Sequence, residues 1–197
     1  MIDDYYNITT PASEVPVTLA EAKAWAKIRV SADDTLITAM LPGIVDAGER
    51  YTNRVFVERT FEGFFSGLDA SNRETYYFLQ LRRAPLVSIT SVEVYSDGAY
   101  SAFTDYKLKQ NNGYSRLLFP NGIADADPNT DYPYPVKVTF VAGYGAAADV
   151  PETLKHGIMA HIAFLYENRG DVIAEGGLRM PLEAKMLYHK YKIINTF

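Results

Sequence analysis

Apolar residues follow two different periods along the chain, helical towards both ends and strand-like between them. Over residues 18–27, Leu19, Ala22, Trp25 and Ala26 share one helical face, with Glu21, Lys23 and Lys27 opposite. Thr18 and Glu21 have the spacing of a capping box, in which each side chain satisfies a free backbone N–H at the helix start. A second helix is predicted over 36–53. Ile37, Leu41, Ile44, Gly48 and Tyr51 form its stripe, widened by Leu36, Met40 and Val45. Ser31 is placed to cap it, and Asp33 and Asp34 suit the positive end of its dipole. Pro42 lacks the N–H of an interior helical residue, so a kink, or a helix start at Leu41, is expected there.

From residue 55 the period falls to two. Runs at 55–65, 74–81, 87–95, 106–108, 114–119 and 136–142 read as strands. Asp97-Gly98 and Asn111-Asn112-Gly113 are hairpin signals. In 87–95, Val87, Ile89, Ser91, Glu93 and Tyr95 fall on one face and Ser88, Thr90, Val92 and Val94 on the other. Gly143-Tyr144-Gly145 breaks the last strand, and Pro151 suits the first turn of a helix reaching about 168. Leu154, Ile158, His161, Ile162 and Leu165 form that helix's buried stripe, and a short helix is predicted over 182–191. Residues 1–16 read as an extended arm broken by Pro11 and Pro16.

Helices, then strands, then helices is an α+β order, not alternating βαβ units. The expected organisation is an N-terminal arm with helices (1–54), a β-rich insertion (55–142), and C-terminal helices with a tail (143–197). The last of these packs with 17–54 as one helical base. Trp25, Ile37, Leu41, Ile44, Ile158, Ile162 and Leu165 are the expected core of that base.

Composition narrows the function. Net charge is -5 over 197 residues, made of -4 in 1–53, -2 in 54–150 and +1 in 151–197. No basic face suited to holding DNA phosphates is expected from that balance. With no cysteine, disulfides, thiolate nucleophiles and cysteine zinc sites are excluded, which fits a reducing compartment. The acidic, polar start lacks a signal peptide's pattern, and no run approaches the ~18 apolar residues of a membrane span. Fifteen tyrosines suit protein interfaces, where a broad ring with a polar tip is favoured.

Motifs for chemistry are incomplete. Asp125, Asp127, Asn129 and Asp131 alternate like a calcium loop, but Thr130 and Val136 stand where the turn glycine and the closing glutamate belong. Gly143-Tyr144-Gly145 lacks the third glycine of a dinucleotide fingerprint and the Lys-Ser/Thr pair of a phosphate loop. His156 and His161 are five apart and do not share a helix face as metal ligands do. Arg169-Gly170-Asp171 reads as a helix end with a glycine cap. No metal, cofactor or catalytic constellation is expected, so the expected role is non-enzymatic binding.

The order of several short segments resembles a known family. Val17-Thr18-Leu19-Ala20-Glu21-Ala22-Lys23, Asp33-Asp34-Thr35-Leu36-Ile37 and Glu49-Arg50-Tyr51-Thr52-Asn53-Arg54 are similar to the opening of phage head–tail connector (adaptor) proteins. So, for the middle, are Ala84-Pro85-Leu86, Val92-Glu93-Val94-Tyr95 and Asp97-Gly98. The last third resembles the family at Phe140-Val141-Ala142-Gly143-Tyr144-Gly145, Val150-Pro151 and Tyr166-Glu167-Asn168-Arg169. Related chains occur in tailed phages, prophages and gene transfer agents. The resemblance implies a virion structural protein at the head–tail junction, made in the bacterial host cytoplasm. It implies a ring, typically of twelve copies, beneath the portal protein and next to stopper or tail proteins. DNA would pass through its channel without specific binding, and no membrane is involved. An acidic wall would repel phosphate and suit such passage. The alternatives are another neck or tail-completion protein, or a β-rich ligand- or carbohydrate-binding module with Phe61, Phe64 and Phe65 as a platform.

The C-terminal run from Leu187 is apolar and basic in an acidic chain. Tyr188, Lys190, Tyr191, Lys192, Ile193, Ile194 and Phe197 are its candidate portal-binding residues, and the resemblance also implies C-terminal docking. The competing reading of this run is that it folds back on the chain's own helices.

Overall fold

The structure is a computed structural model that describes residues 4–70, 77–96, 98–111, 113–123, 132–168 and 180–194. The alternating acidic run at 125–131, Arg169-Gly170-Asp171 and Phe197 lie outside these residues. The fold is α+β, and the chain divides into two compact units. One comprises Met1–Pro11 with Glu58–Gly143, the other Ala12–Val57 with Tyr144–Phe197.

The first unit is all β. Its strands are β1 (Tyr5–Thr10), β2 (Arg59–Phe65), β3 (Asp69–Ala70), β4 (Tyr77–Leu81), β5 (Leu86–Ser96), β6 (Ala99–Ala102), β7 (Lys107–Gln110), β8 (Ser115–Phe119) and β9 (Val136–Ala142). They form an antiparallel five-stranded sheet ordered β1-β2-β9-β5-β6 and a four-stranded sheet ordered β3-β4-β8-β7. Strand alternation fixes which residues go inside. Phe61 lies opposite Phe140 and Phe65 opposite Val136, while Val92 and Val94 lie opposite Val138 and Val136. All seven are buried, as are Leu79, Leu81, Leu117 and Phe119 of the second sheet. Each such side chain stabilises the unit by roughly 1.5–3 kcal/mol when fully removed from water. The sheets are linked by the Phe103 and Phe119 rings, 5.8 Å apart, and by the Gln110 amide donating to the Leu86 carbonyl at 2.9 Å.

Two details depart from the sequence reading. The arm expected to belong with the helices instead supplies β1, which pairs with β2. Five of the six residues in its run Tyr5-Tyr6-Asn7-Ile8-Thr9-Thr10 are strand formers. The simple alternation of 87–95 also fails, because irregularities between Leu86 and Ser88 and between Ile89 and Ser91 offset the pleat. Val92 and Val94 still point inward, whereas Val87 is exposed.

The second unit is helical, with α1 (Leu19–Trp25), α2 (Asp34–Thr52), α3 (Glu152–Glu167) and α4 (Leu182–His189), plus a 3₁₀ turn at Ala147–Asp149. The capping box is formed. The Thr18 hydroxyl accepts from the Glu21 N–H at 3.2 Å, and the Glu21 carboxylate accepts from the Thr18 N–H at 2.7 Å. The bonds that the Glu21 carboxylate accepts from the Thr18 N–H and hydroxyl, both at 2.7 Å, hold its carboxyl below the ordinary range. The α2 N-cap is Asp33, not Ser31. The Asp33 carboxylate accepts from the Tyr166 hydroxyl of α3 at 2.6 Å, and Lys23 of α1 pairs with Asp34. The two acids therefore tie three helices together. Nor does α2 begin at Leu41: it runs from Asp34 through Pro42. Ile37, Leu41, Ile44 and Val45 are buried while Thr38, Pro42 and Gly43 are exposed, so the carbonyl freed by proline lies on the solvent side.

The helical core takes Ile37, Leu41, Ile44, Ile158, Ile162 and Leu165, as the stripes predict, together with Leu154, Phe56 and Tyr188. Trp25 is a correction: it is 42% exposed and stacks on the His156 ring at 5.2 Å. The helix it closes has seven residues, and Ala22 takes the buried position on that face. Val55, Phe56 and Val57, read as the start of the strands, are buried in this unit instead. The Phe56 N–H donates to the Glu49 carboxylate at 2.7 Å. His161 is buried, and burial holds its imidazole down at about 4.

Candidate partner-binding surfaces

The C-terminal segment is built on one buried anchor. Tyr188 projects from α4 into a notch between α2 and α3 made by two glycines. A Cβ on Gly48 would lie 3.1 Å from the Tyr188 Cζ, and one on Gly157 would lie 2.5 Å from its Cε1. Phe56 lines the same notch, its ring centroid 6.3 Å from that of Tyr188. Only glycine permits so close an approach of helix backbone to ring. Tyr188 is fully buried, and burial raises its hydroxyl above the ordinary tyrosine range. This corrects its place among the partner-binding candidates, because its ring reaches no solvent.

After α4 the chain folds back on the end of α2. The Ile193 N–H donates to the Thr52 carbonyl at 2.9 Å. The Asn53 side chain donates to the Ile193 carbonyl at 2.9 Å, and the Arg54 Nε donates to the Tyr191 carbonyl at 2.6 Å. Asn53 can point this way because it ends α2 in the left-handed conformation, φ 56°. The Lys192 ammonium sits 4.6 Å over the Tyr51 ring, and the Tyr51 hydroxyl meets the His189 Nδ1 at 3.1 Å. Of the sequence candidates, Lys190, Lys192 and Ile194 are exposed, and Tyr191 and Ile193 are half-buried.

Two exposed apolar residues of this surface escaped the sequence reading. Leu182 and Met186 are 72% and 69% exposed, and Ile194 is 72% exposed. Leu182 and Met186 are one helical turn apart, on the face away from Ala184 and Tyr188. The signal was present: a short helix whose two apolar rows cannot both face inward. Lys185, Lys190 and Lys192 against Glu183 make this stretch locally basic. The segment thus presents exposed apolar and basic side chains in an acidic chain.

The β unit carries a second surface on the outer face of its five-stranded sheet. Tyr5 stacks on Phe64 at 4.6 Å and meets Tyr134 edge-on at 4.8 Å. Tyr95 stacks on Tyr132 at 4.1 Å and meets Tyr100 at 5.3 Å. Lys137 pairs with Glu93 at 2.7 Å and lies 4.7 Å over the Tyr100 ring. The Tyr100 hydroxyl donates to the Tyr134 carbonyl at 2.8 Å. Burial, then the neighbouring tyrosines, raise both Tyr5 and Tyr100 above the ordinary tyrosine range. Phe61 and Phe65 take no part in this surface, since both lie in the core. Among the described residues, no three His, Asp or Glu side chains gather as a metal site would need, and no helix is long and apolar enough to cross a membrane.

No protein-family model and no curated protein matches the sequence. Solved structures do match over nearly the whole length. A chain from the neck of an empty gene transfer agent particle, computed with C6 symmetry, superposes with TM-score 0.73 at 18% identity, covering 98% of this chain and 97% of that one. The fold is that of a particle-neck chain. A chain from the virion of the native gene transfer agent particle gives TM-score 0.69 at 19% identity, over 98% and 97%. One from the native neck, computed with C12 symmetry, gives 0.63 at 18%, over 96% and 98%. Coverage on both sides means that both units are shared, not a common module alone.

Proposed function

We propose that this chain is a head–tail adaptor, a structural neck protein of a tailed phage or gene transfer agent particle. In this reading it forms a ring beneath the portal, joins capsid to tail and continues the DNA channel. The observation that carries the reading is the full-length likeness to a neck chain. The resembling segments in the sequence support it independently, because their order also runs through both units. The role asks for binding surfaces rather than a reaction centre, and the two surfaces above are of that kind.

Leu182, Met186, Lys190, Lys192, Ile193 and Ile194 make up the proposed portal-docking surface, and Phe197, outside the described residues, is proposed with them from the sequence alone. Exposed apolar residues ringed by lysines suit an acidic partner with an apolar groove. Docking should then weaken as salt rises. Particles made with and without the chain, imaged by electron microscopy, test the role. Heads without joined tails are expected in its absence, and normal joining overturns the reading. Leu182→Asp with Met186→Asp tests the docking surface: the protein should fold normally yet fail to join portal-bearing heads. Joining at the normal level removes that surface from the proposal.

A further inference from the structure

Sheet edges carry unpaired N–H and C=O groups, and proteins guard them with lysine, proline, bulges or very short strands. The four edges of the β unit are treated differently. In the four-stranded sheet, β7 reads Lys107-Leu108-Lys109-Gln110 and carries two charges, while β3 is only two residues long and includes Asp69. In the five-stranded sheet both edges are uncharged. At one end β1 is Tyr5-Tyr6-Asn7-Ile8-Thr9-Thr10, and at the other β6 is Ala99-Tyr100-Ser101-Ala102. Neither contains proline or lysine, β1 has one irregularity, between Ile8 and Thr10, and Ile8 is 51% exposed. Among the described residues, no strand pairs with β1 beyond β2 or with β6 beyond β5.

We infer that these two open edges are the two halves of one joint, with β6 of one copy pairing with β1 of the next, so that the five-stranded sheet continues from subunit to subunit. This rests on the reading of the chain as a ring-forming neck protein. Strand direction supports the joint. Four successive antiparallel pairings separate β1 from β6, so the two edges run the same way. A head-to-tail operation preserves direction and sets β6 parallel to the next copy's β1. A two-fold operation would instead pair β1 with itself, antiparallel, and close at a dimer. Only the first leaves an open edge at each end to propagate around a ring. Tyr5 and Tyr100 project from the same outer face of the sheet and already meet one cluster within the chain, through Tyr134 and Phe64, so the joint rests on strand direction and on the two uncharged edges.

The absence of cysteine from the sequence gives a clean test. Asn7, opposite Glu62, and Ala102, opposite Glu93, are exposed on that same outer face. Particles would be purified from cells carrying Asn7→Cys, Ala102→Cys or both. They would be treated with an oxidant or with a short bismaleimide that tolerates a diagonal offset of roughly 7–8 Å. The double variant should give a ladder of covalent oligomers, and neither single variant should cross-link. Dimers from Asn7→Cys alone would show two-fold pairing and overturn the joint. A double variant present in particles at the wild-type amount but without a ladder overturns it too, while leaving the neck role standing. A wild-type chain missing from purified particles sinks the neck role and this inference with it.

Discussion

Replacing Gly157 by alanine should destabilise the helical unit, although the same change elsewhere in a helix usually helps. Alanine is favoured over glycine in a helix interior by about 0.5–1 kcal/mol. At Gly157 the added methyl would sit 2.5 Å from the Tyr188 Cε1 and 2.9 Å from its Cδ1 and Cζ. Carbon atoms pack best at 3.5–4.0 Å, so the ring would have to move by roughly 1 Å. It has no room to do so, because the backbone of Gly48 and the ring of Phe56 close the far side. A contact as short as 2.5 Å calls for the upper part, about 2–3 kcal/mol, of the cost of overpacking, leaving a net loss of about 1–2.5 kcal/mol.

The control is Gly43→Ala on α2, where nothing lies within 4 Å of the added methyl. It should gain the full helical preference, about 0.5–1 kcal/mol. Urea unfolding read by the emission of Trp25, the sole tryptophan and a residue of the helical unit, measures both. With a slope of roughly 1–3 kcal/mol per molar urea, the two midpoints should move apart by about 1 M. In a Tyr188→Leu background the penalty of Gly157→Ala should largely vanish, since its cause is the ring. An unchanged or raised midpoint for Gly157→Ala in the wild-type background would refute the notch as described.

Other expectations follow from single contacts. Thr18→Ala removes the capping box and should cost about 0.5–2 kcal/mol in the same assay. Leu165→Ala, at a buried position in the helical core, should cost about 2–5 kcal/mol. The His161 imidazole titrates at about 4 when folded, against an ordinary 6.5, because burial disfavours its charge. The unfolded chain therefore binds more protons between those values. Its contribution should be complete above pH 6.5 and fade as pH falls toward 4, and His161→Leu should flatten that limb of the stability–pH curve.

The helical core was legible because its signal is local and repeated. Ile37, Leu41 and Ile44, and likewise Ile158, Ile162 and Leu165, recur at a spacing that only a helix turns to one side. Trp25 misled because a large ring at the right spacing looks like core, yet a seven-residue helix buries one small residue there, Ala22. The arm was misplaced for another reason. Five strand formers in six residues announce a strand, but their partner β2 lies some fifty residues away, and pairing at that distance leaves no local trace. The candidate site was half visible. Lys190, Lys192 and Ile194 stood out by composition, whereas the notch that buries Tyr188 depends on Gly48 and Gly157 from two other helices.

That notch changes how the C-terminal surface can work. A tail that orders only when it meets its partner loses conformational freedom at that moment, and the loss is subtracted from the affinity. Here the ordering has already happened on folding. Tyr188 fixes α4 in the core, and the bonds from Asn53, Arg54 and Thr52 hold residues 191 and 193 against α2. Leu182, Met186 and Ile194 are left facing outward from that fixed frame. A preorganised patch of three apolar side chains is a modest contact when made once. In the proposed ring every subunit would repeat that contact, and each further subunit would dock at high effective concentration after the first. Under that proposal affinity would come from rigidity and repetition, so a change in the notch that loosens α4 should weaken docking although it touches no partner residue.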